Sequence, residues 1–232
     1  MRTILFLIAT SVASISYAQD FKKHFTNYNS LVVSRGIDAR LVKSDSKDLK
    51  FTIHGISEDD VIVENRNNEL NIKVATRALW QEMQDNHWWV RVEVPYESLV
   101  AIEALTGAKI SAAEPVKVES LDIAVSMGAE IELNIIAREL YVDASMGGLI
   151  DLDGSVESLD ANSSMGSEAD LDRLFARYVK AKSTMGGVLS VNATEEFDGR
   201  AIMGGEIRVT GNPDRYYENT SMGGDISGKG NN

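Results

Sequence analysis

The sequence predicts an all-β protein: a parallel β-helix, a solenoid of about 19 residues per coil, behind a β-rich N-terminal cap region. Three observations predict it. First, six short phrases recur: S-M-G-A at 126–129, S-M-G-G at 145–148, S-M-G-S at 164–167, T-M-G-G at 184–187, I-M-G-G at 202–205 and S-M-G-G at 221–224. The steps between their methionines are 19, 19, 20, 18 and 19 residues. Second, the residue after each methionine is always glycine. Third, residues around the phrases alternate apolar and polar at period 2, as strands exposing one face to solvent do.

The chain has 232 residues, 44% of them hydrophobic, enough for a substantial core. Residues 1–18 read as a secretory signal peptide: Arg2 is the positive start, 4–8 open a short apolar run, and Ser16-Tyr17-Ala18 is a small-x-small cleavage site. The run is too short to span a bilayer. No cysteine follows the site to take a lipid anchor, and no later stretch suits a membrane crossing. Cysteine is absent altogether, which fits the periplasm, outer-membrane surface or exterior of a Gram-negative bacterium better than an animal secretion. The net charge of −12 disfavours nucleic acid and anionic membranes as partners.

Residues 19–99 form the β-rich N-terminal region. Residues 20–29 read as a polar lead-in. Strands are expected at 30–34, 37–43, 49–54, 61–65 and 69–74, separated by Gly36, 44–47, 55–59 and 65–68 as turn material. Leu79, Trp80, Met83 and His87 fall at helical spacing, so a short helix or ordered excursion is expected over 75–87. Trp88, Val90, Val92 and Val94 then alternate with Trp89, Arg91 and Glu93 in a strand stopping at Pro95. From residue 100 the repeat runs to 232 as one structural unit with 19–99. Its first copy is degenerate, Leu105-Thr106-Gly107-Ala108.

Parity assigns each copy an inside and an outside. Counting in twos from Met146 gives Val142, Ala144, Gly148, Ile150 and Leu152; from Met185 it gives Val179, Ala181, Gly187, Leu189 and Val191. By this rule the methionines point inward and stack as a core ladder, filling irregular gaps with their flexible thioethers. A thioether site for soft copper is the functional alternative. Inward packing and the lack of Cys or His beside it argue against that, so no metal site is expected. Gly128, Gly147, Gly166, Gly186, Gly204 and Gly223 are expected as structural corners, where φ is positive or a Cβ has no room. A phosphate-cradling loop would need a following helix, and no copy supplies one.

Candidate chemistry is sparse. Acidic residues recur beyond the corner on the outward parity: Glu130, Glu132, Asp151, Asp153, Glu168, Asp170, Asp172, Glu206 and Asp225. Asp151, Asp153, Glu168 and Asp170 are the densest part and a weak binding candidate, for calcium or as paired carboxylates for glycoside cleavage. A solvated acidic face explains them as well, and Val188 and Ser190 interrupt the stripe. The G-G-x-G-x-D nonapeptide of calcium-binding β-rolls is absent, so no cofactor is expected. His24, His54 and His87 have no triad or zinc-ligand spacing around them, and no catalytic residue is expected. Trp80, Trp88 and Trp89 form either a sugar-stacking platform or a cover for the open end of the solenoid. Residues 225–232 offer no evident cap, which leaves the last coil open to self-association.

With "NELNIKV" at 68–74, "VRVEVPYESLVAIEALTGAKI" at 90–110 and the ladder of small-Gly corners, the mature chain resembles the auto-transporter adhesin head GIN domain family of Bacteroidetes. The resemblance implies a right-handed parallel β-helix behind a β-rich N-terminal part, and supplies no catalytic residues. Two functions follow: a non-enzymatic, adhesin-like module of the envelope or surface binding polysaccharide or protein, or a β-helix lyase or hydrolase acting on acidic polysaccharide. The near-equal coils, without long inserted loops to build a groove, favour binding.

Overall fold

The computed structural model describes residues 18–78 and 87–228, and among these, 18 strands join into one continuous coiled sheet. Its stacked parallel strands repeat about every 19 residues over about seven turns, the predicted β-solenoid. One side of the stack precedes the corner. It holds β2 (Ser30–Ser34), β8 (Ala101–Leu105), β11 (Ser120–Ser126), the C-terminal halves of β12 (Glu130–Ala144), β13 (Leu149–Ser164), β14 (Glu168–Thr184) and β15 (Val188–Ile202), and then β17 (Arg215–Ser221). The side after the corner holds β3 (Ile37–Lys43), β9 (Lys109–Ala112), the N-terminal halves of β12 to β15, β16 (Glu206–Gly211) and β18 (Asp225–Ser227). A short strand, β10 (Val116–Lys117), aligns with Ile135 and Ile136.

The core is a set of in-register columns. Ala39, Ile110, Ile131, Ile150, Ala169, Leu189, Ile207 and Ile226 face one another from coil to coil, and all but the last are buried. A coil sliding by one residue would turn this column to water. Fully burying each large aliphatic side chain contributes roughly 1.5–3 kcal/mol, so the register is strongly specified.

The N-terminal end is built differently. β7 (Trp89–Tyr96) extends the post-corner side parallel to β3, β4 (Asp48–His54) joins it antiparallel, and β1 (Gln19–His24) joins β4 antiparallel. On the other side β6 (Glu69–Val74) runs parallel to β2 and β5 (Val61–Arg66) closes antiparallel on β6. Both sides of the stack thus end in antiparallel strands. Residues expected as a polar lead-in contribute β1, because Phe21 stacks on Phe51 at 4.9 Å and half-buries itself there. The strand expected to stop at Pro95 continues to Tyr96, since a parallel partner, Val42, lies opposite the proline and Tyr28 Oη donates to its carbonyl at 2.9 Å. Residues 76–78 are helical; Leu79, Trp80 and Met83 of the expected excursion lie outside the described residues.

The solenoid register starts before residue 100. Arg35 and Gly36 have φ of 63° and 71°, as the later corners do, and their N–H groups donate to Leu105 and Thr106 of the next coil. Ser34-Arg35-Gly36-Ile37 is thus a corner copy, separated from the next by β4 to β7.

Each corner is a two-residue turn with both central residues left-handed. Met127, Met146, Met165, Met185, Met203 and Met222 have φ of 47–55°, and the following glycines 68–77°. The turn closes by a bond such as Gly148 N–H to the Ser145 carbonyl at 2.9 Å, as in a type I′ turn. This overturns the expected inward methionines: Met127, Met146, Met165, Met185 and Met203 are 46–48% exposed and Met222 77%. Side chains alternate only in extended backbone. The left-handed turn swings the methionine outward, while the parity resumes correctly on either side, with Ala144, Gly148 and Ile150 all buried.

Two different demands act on the small residues. A Cβ on Gly128, Gly147, Gly166, Gly186, Gly204 or Gly223 would meet nothing within 4 Å, so positive φ alone requires glycine there. At the next position a Cβ would collide with the previous coil: 2.3 Å from the Ser183 carbonyl oxygen for Gly205 and 2.2 Å from that of Ala201 for Gly224. Buried Ser163 and Ser183 fill the inner angle, donating to the carbonyls of Ser167 at 3.0 Å and Gly187 at 2.6 Å.

The two demands separate experimentally. Gly147→Val should cost roughly 1–2 kcal/mol, the left-handed penalty, whereas Gly147→Asn, which tolerates that region, should unfold close to the parent in urea. Gly205→Ala should cost about 1–3 kcal/mol by overpacking, although its φ is unremarkable. Equal midpoints for Gly147→Val and Gly147→Asn would refute the conformational reading.

Candidate binding surface

Outward charges stand before the corner, as at Asp143, Lys180, Lys182, Asp198 and Arg200, as well as after it, but a groove forms on the post-corner side. At its N-terminal end β1, β4, β7, β3 and β9 lie side by side and form a groove of about 900 Å³. Asp20 and Lys22 come from β1, Lys50 and Thr52 from β4, Arg91 and Glu93 from β7, Asp38 and Arg40 from β3, and Ser111 from β9. Phe21 and Ala112 add half-buried apolar surface. The pleat aligns these residues: Thr52, Arg91, Asp38 and Lys109 in one row, Lys22, Lys50, Glu93, Arg40 and Ser111 in the next.

Most of these charges are satisfied by each other. Lys50 pairs with Glu93 at 2.9 Å, Arg91 with Asp38 at 3.5 Å, and Thr52 Oγ1 donates to Asp20 at 2.8 Å. Lys109 pairs with Glu130 across to the next coil, and its hydrogen bond to that carboxylate raises its pKa. These exposed pairs add little stability. Among the described residues Lys22 and Arg40 are exposed and make no ion pair, and Lys22 sits directly opposite Lys50. The groove thus offers two uncommitted cations in an otherwise acidic protein.

The acidic stripe continues on the same side. Glu132, Asp151 and Asp170 fall in one row, while Leu149 separates Glu130 from Glu168 in the other. Like charges at the inter-coil spacing of about 4.8 Å repel by about 1 kcal/mol even in water. Arg173 relieves this by donating to Asp151 and to Asp153, at 2.5 Å each, and the two carboxylates hold its guanidinium above the ordinary range. Arg173 reaches them from an irregularity, because the pairing of β13 with β14 shifts by one residue between Asp151 and Gly154. This is the coil whose methionine step is 20 rather than 19 residues, so the signal for Arg173 was present in the spacing. Among the described residues no group of three or more His, Asp or Glu side chains converges to hold a metal ion.

The tryptophans are split. Trp88 is half-buried against the core, under Gly36 and Gly55. Trp89 points outward, stacked on His54 at 5.9 Å with the Arg91 guanidinium 4.9 Å from its ring. They lie on opposite faces of the sheet and make no shared platform; Trp80 lies outside the described residues. His24 is exposed beside Asp48 at 3.2 Å. At the far end β17 and β18 pair only with the preceding coil, so both leave an open edge among the described residues.

A coiled sheet with a largely aliphatic interior and charged rows outside defines a β-solenoid. The chain belongs to the family described as "Putative auto-transporter adhesin, head GIN domain", which matches residues 27–213. Its fold is similar to that of a putative adhesin of Bacteroides fragilis NCTC 9343, with a TM-score of 0.76, 16% identity, and 92% of this chain and 97% of that one covered. A putative adhesin of Parabacteroides merdae ATCC 43184 aligns with a TM-score of 0.70 at 16% identity, over 92% and 96% of the two chains. A putative lipid binding protein of Parabacteroides distasonis ATCC 8503 gives 0.62 at 19%, over 92% and 97%. At these identities the likeness is one of fold. No curated protein matches the sequence.

The bulge carries a testable cost. The Asp172 Oδ1 is buried without a hydrogen-bond partner, and burial, then the neighbouring Asp170, raises its carboxyl above the ordinary 3.8. A carboxyl raised on folding contributes stability below its unfolded pKa and loses it as pH rises through the folded value. At pH 7 Asp172 therefore opposes folding. Asp172→Asn should raise Tm at pH 7, with the gain shrinking to nothing below about pH 4; a pH-independent difference in thermal scans would contradict this.

Proposed function

We propose that the chain is an exported, non-enzymatic, adhesin-like solenoid of the cell envelope or surface that holds an anionic polysaccharide in the groove between β1 and β9. The family supports the adhesin-like role, and the leader-like residues 1–18 support export. The observation that carries the ligand class is the pair of unengaged cations, Lys22 and Arg40, in a groove open along the sheet. A linear glycan carrying carboxylates or sulfates can lie along the pleat, form charge-assisted hydrogen bonds to both, and meet Thr52 and Ser111 with its hydroxyls. The acidic row of Glu132, Asp151 and Asp170 farther along the same side repels the polymer and so keeps it at the N-terminal end of that side.

Hydrolysis or lyase chemistry gains no support from the groove's carboxylates. Asp38 and Glu93 face cations, Asp20 accepts from Thr52, and none is a buried carboxyl poised as an acid.

On an array of acidic and neutral glycans the mature protein should retain acidic chains. Lys22→Ala with Arg40→Ala should weaken that retention about tenfold or more at unchanged Tm, because both side chains are exposed. Equal retention by the double variant, or shortening of any glycan, would defeat the proposal.

A further inference from the structure

The methionine column has a chemistry that an adhesin does not require. Six thioethers stand at one register position of successive coils, five of them half-exposed and Met222 more so, followed by glycines whose surroundings are open. The turn itself does not select methionine. Arg35 and Thr106 hold the same left-handed position in the first two copies, at φ of 63° and 51°, and Asn or Gly suits such turns better. Six consecutive methionines at a conformation costly for a long side chain therefore point to the sulfur. Side chains at this position do meet between coils: Thr106 Oγ1 lies 3.8 Å from the Met127 sulfur.

We propose that this column binds soft monovalent cations, Cu(I) or Ag(I), each seated between thioethers of neighbouring coils. Soft thioether ligands select such ions over hard divalent ones. Spacing permits it: corners of neighbouring coils lie about 4.8 Å apart, within reach of two thioethers that close on one ion from either side. The three rotatable bonds of methionine adjust the remainder. Inward-facing sulfurs would have been sealed in the core; their outward position leaves them open to ions from solvent. The chain has no cysteine to compete for the ion. Six sulfurs in a row accommodate two or three ions, and the ladder offers equivalent neighbouring positions along which an ion can step.

The test uses the mature chain with ¹³C-methyl-labelled methionine, titrated with silver nitrate in chloride-free buffer. The column methyl resonances should shift, saturating at two or three ions per chain. Cu(I) competed against bicinchoninate should give the same stoichiometry. Met146→Leu, Met165→Leu and Met185→Leu together remove the middle of the ladder while keeping its bulk. That variant should bind no more than one ion, the middle sites weakening at least tenfold, with unchanged Tm. Methyl resonances that stay in place at two equivalents of Ag(I), or a triple variant that binds like the parent, would overturn the site.

Discussion

Everything in this molecule depends on turning the chain at the same place in each coil. A two-residue turn with both φ values positive reverses direction without spending a longer loop, and the inter-coil hydrogen bonds run through it: Gly128 N–H donates to the Met146 carbonyl, and Gly107 N–H to that of Met127. The corner is therefore part of the ladder rather than a break in it. If one corner shifted by a residue, the Ile110–Ile131–Ile150 column would lose its register on the far side. The glycine that permits the turn and the small residue that lets coils approach are adjacent in sequence, yet they answer to different physics, one conformational and one steric.

Parallel stacks must also end. The N-terminal end closes by changing strand direction: β4 and β1 on one side and β5 on the other run antiparallel to their neighbours. The C-terminal end, among the described residues, has no equivalent, and β17 and β18 present their outer edges. Unpaired edges are templates for further strands, and among the described residues β1 and β5 also pair on one side only, so the two ends differ in strand direction rather than in having an edge.

The sequence made the architecture legible because a solenoid writes its geometry into a period. Strands at Ser30–Ser34, Ile37–Lys43 and Glu69–Val74 match their expected bounds, since alternation is a local property. The direction of the methionines was misread because parity counts through a turn as though it were strand. The first corner copy went unseen because β4 to β7 separate it from the next and Arg35 replaces methionine. The groove was invisible for another reason: Lys22, Lys50, Arg91 and Arg40 come from four separated strands joined by two antiparallel pairings and one parallel, and no local pattern specifies that arrangement. Most of the acidic stripe stands outward as parity predicts, while Asp172 has an oxygen buried beside the bulge. The residue that neutralises part of it, Arg173, was hidden in a coil one residue too long.

The division between inside and outside limits what such a surface can recognise. Interior columns are mostly aliphatic, with Phe197 and the buried serines at 163, 167 and 183 as exceptions, so coils differ more in their outward residues. Those stand in straight rows about 4.8 Å apart, which gives every row the form of a linear array rather than a cup. Alternating signs, as along Arg91, Asp38, Lys109 and Glu130, neutralise the array and leave little for a ligand. Where the alternation fails, at Lys22 beside Lys50 or along the methionines, the row keeps an unspent valence. An array of repeated, unspent groups is matched by a ligand with its own repeat, such as a polymer, or by a series of identical ions. That is the physical reason to look for function on this protein along rows of the sheet rather than in an enclosed pocket.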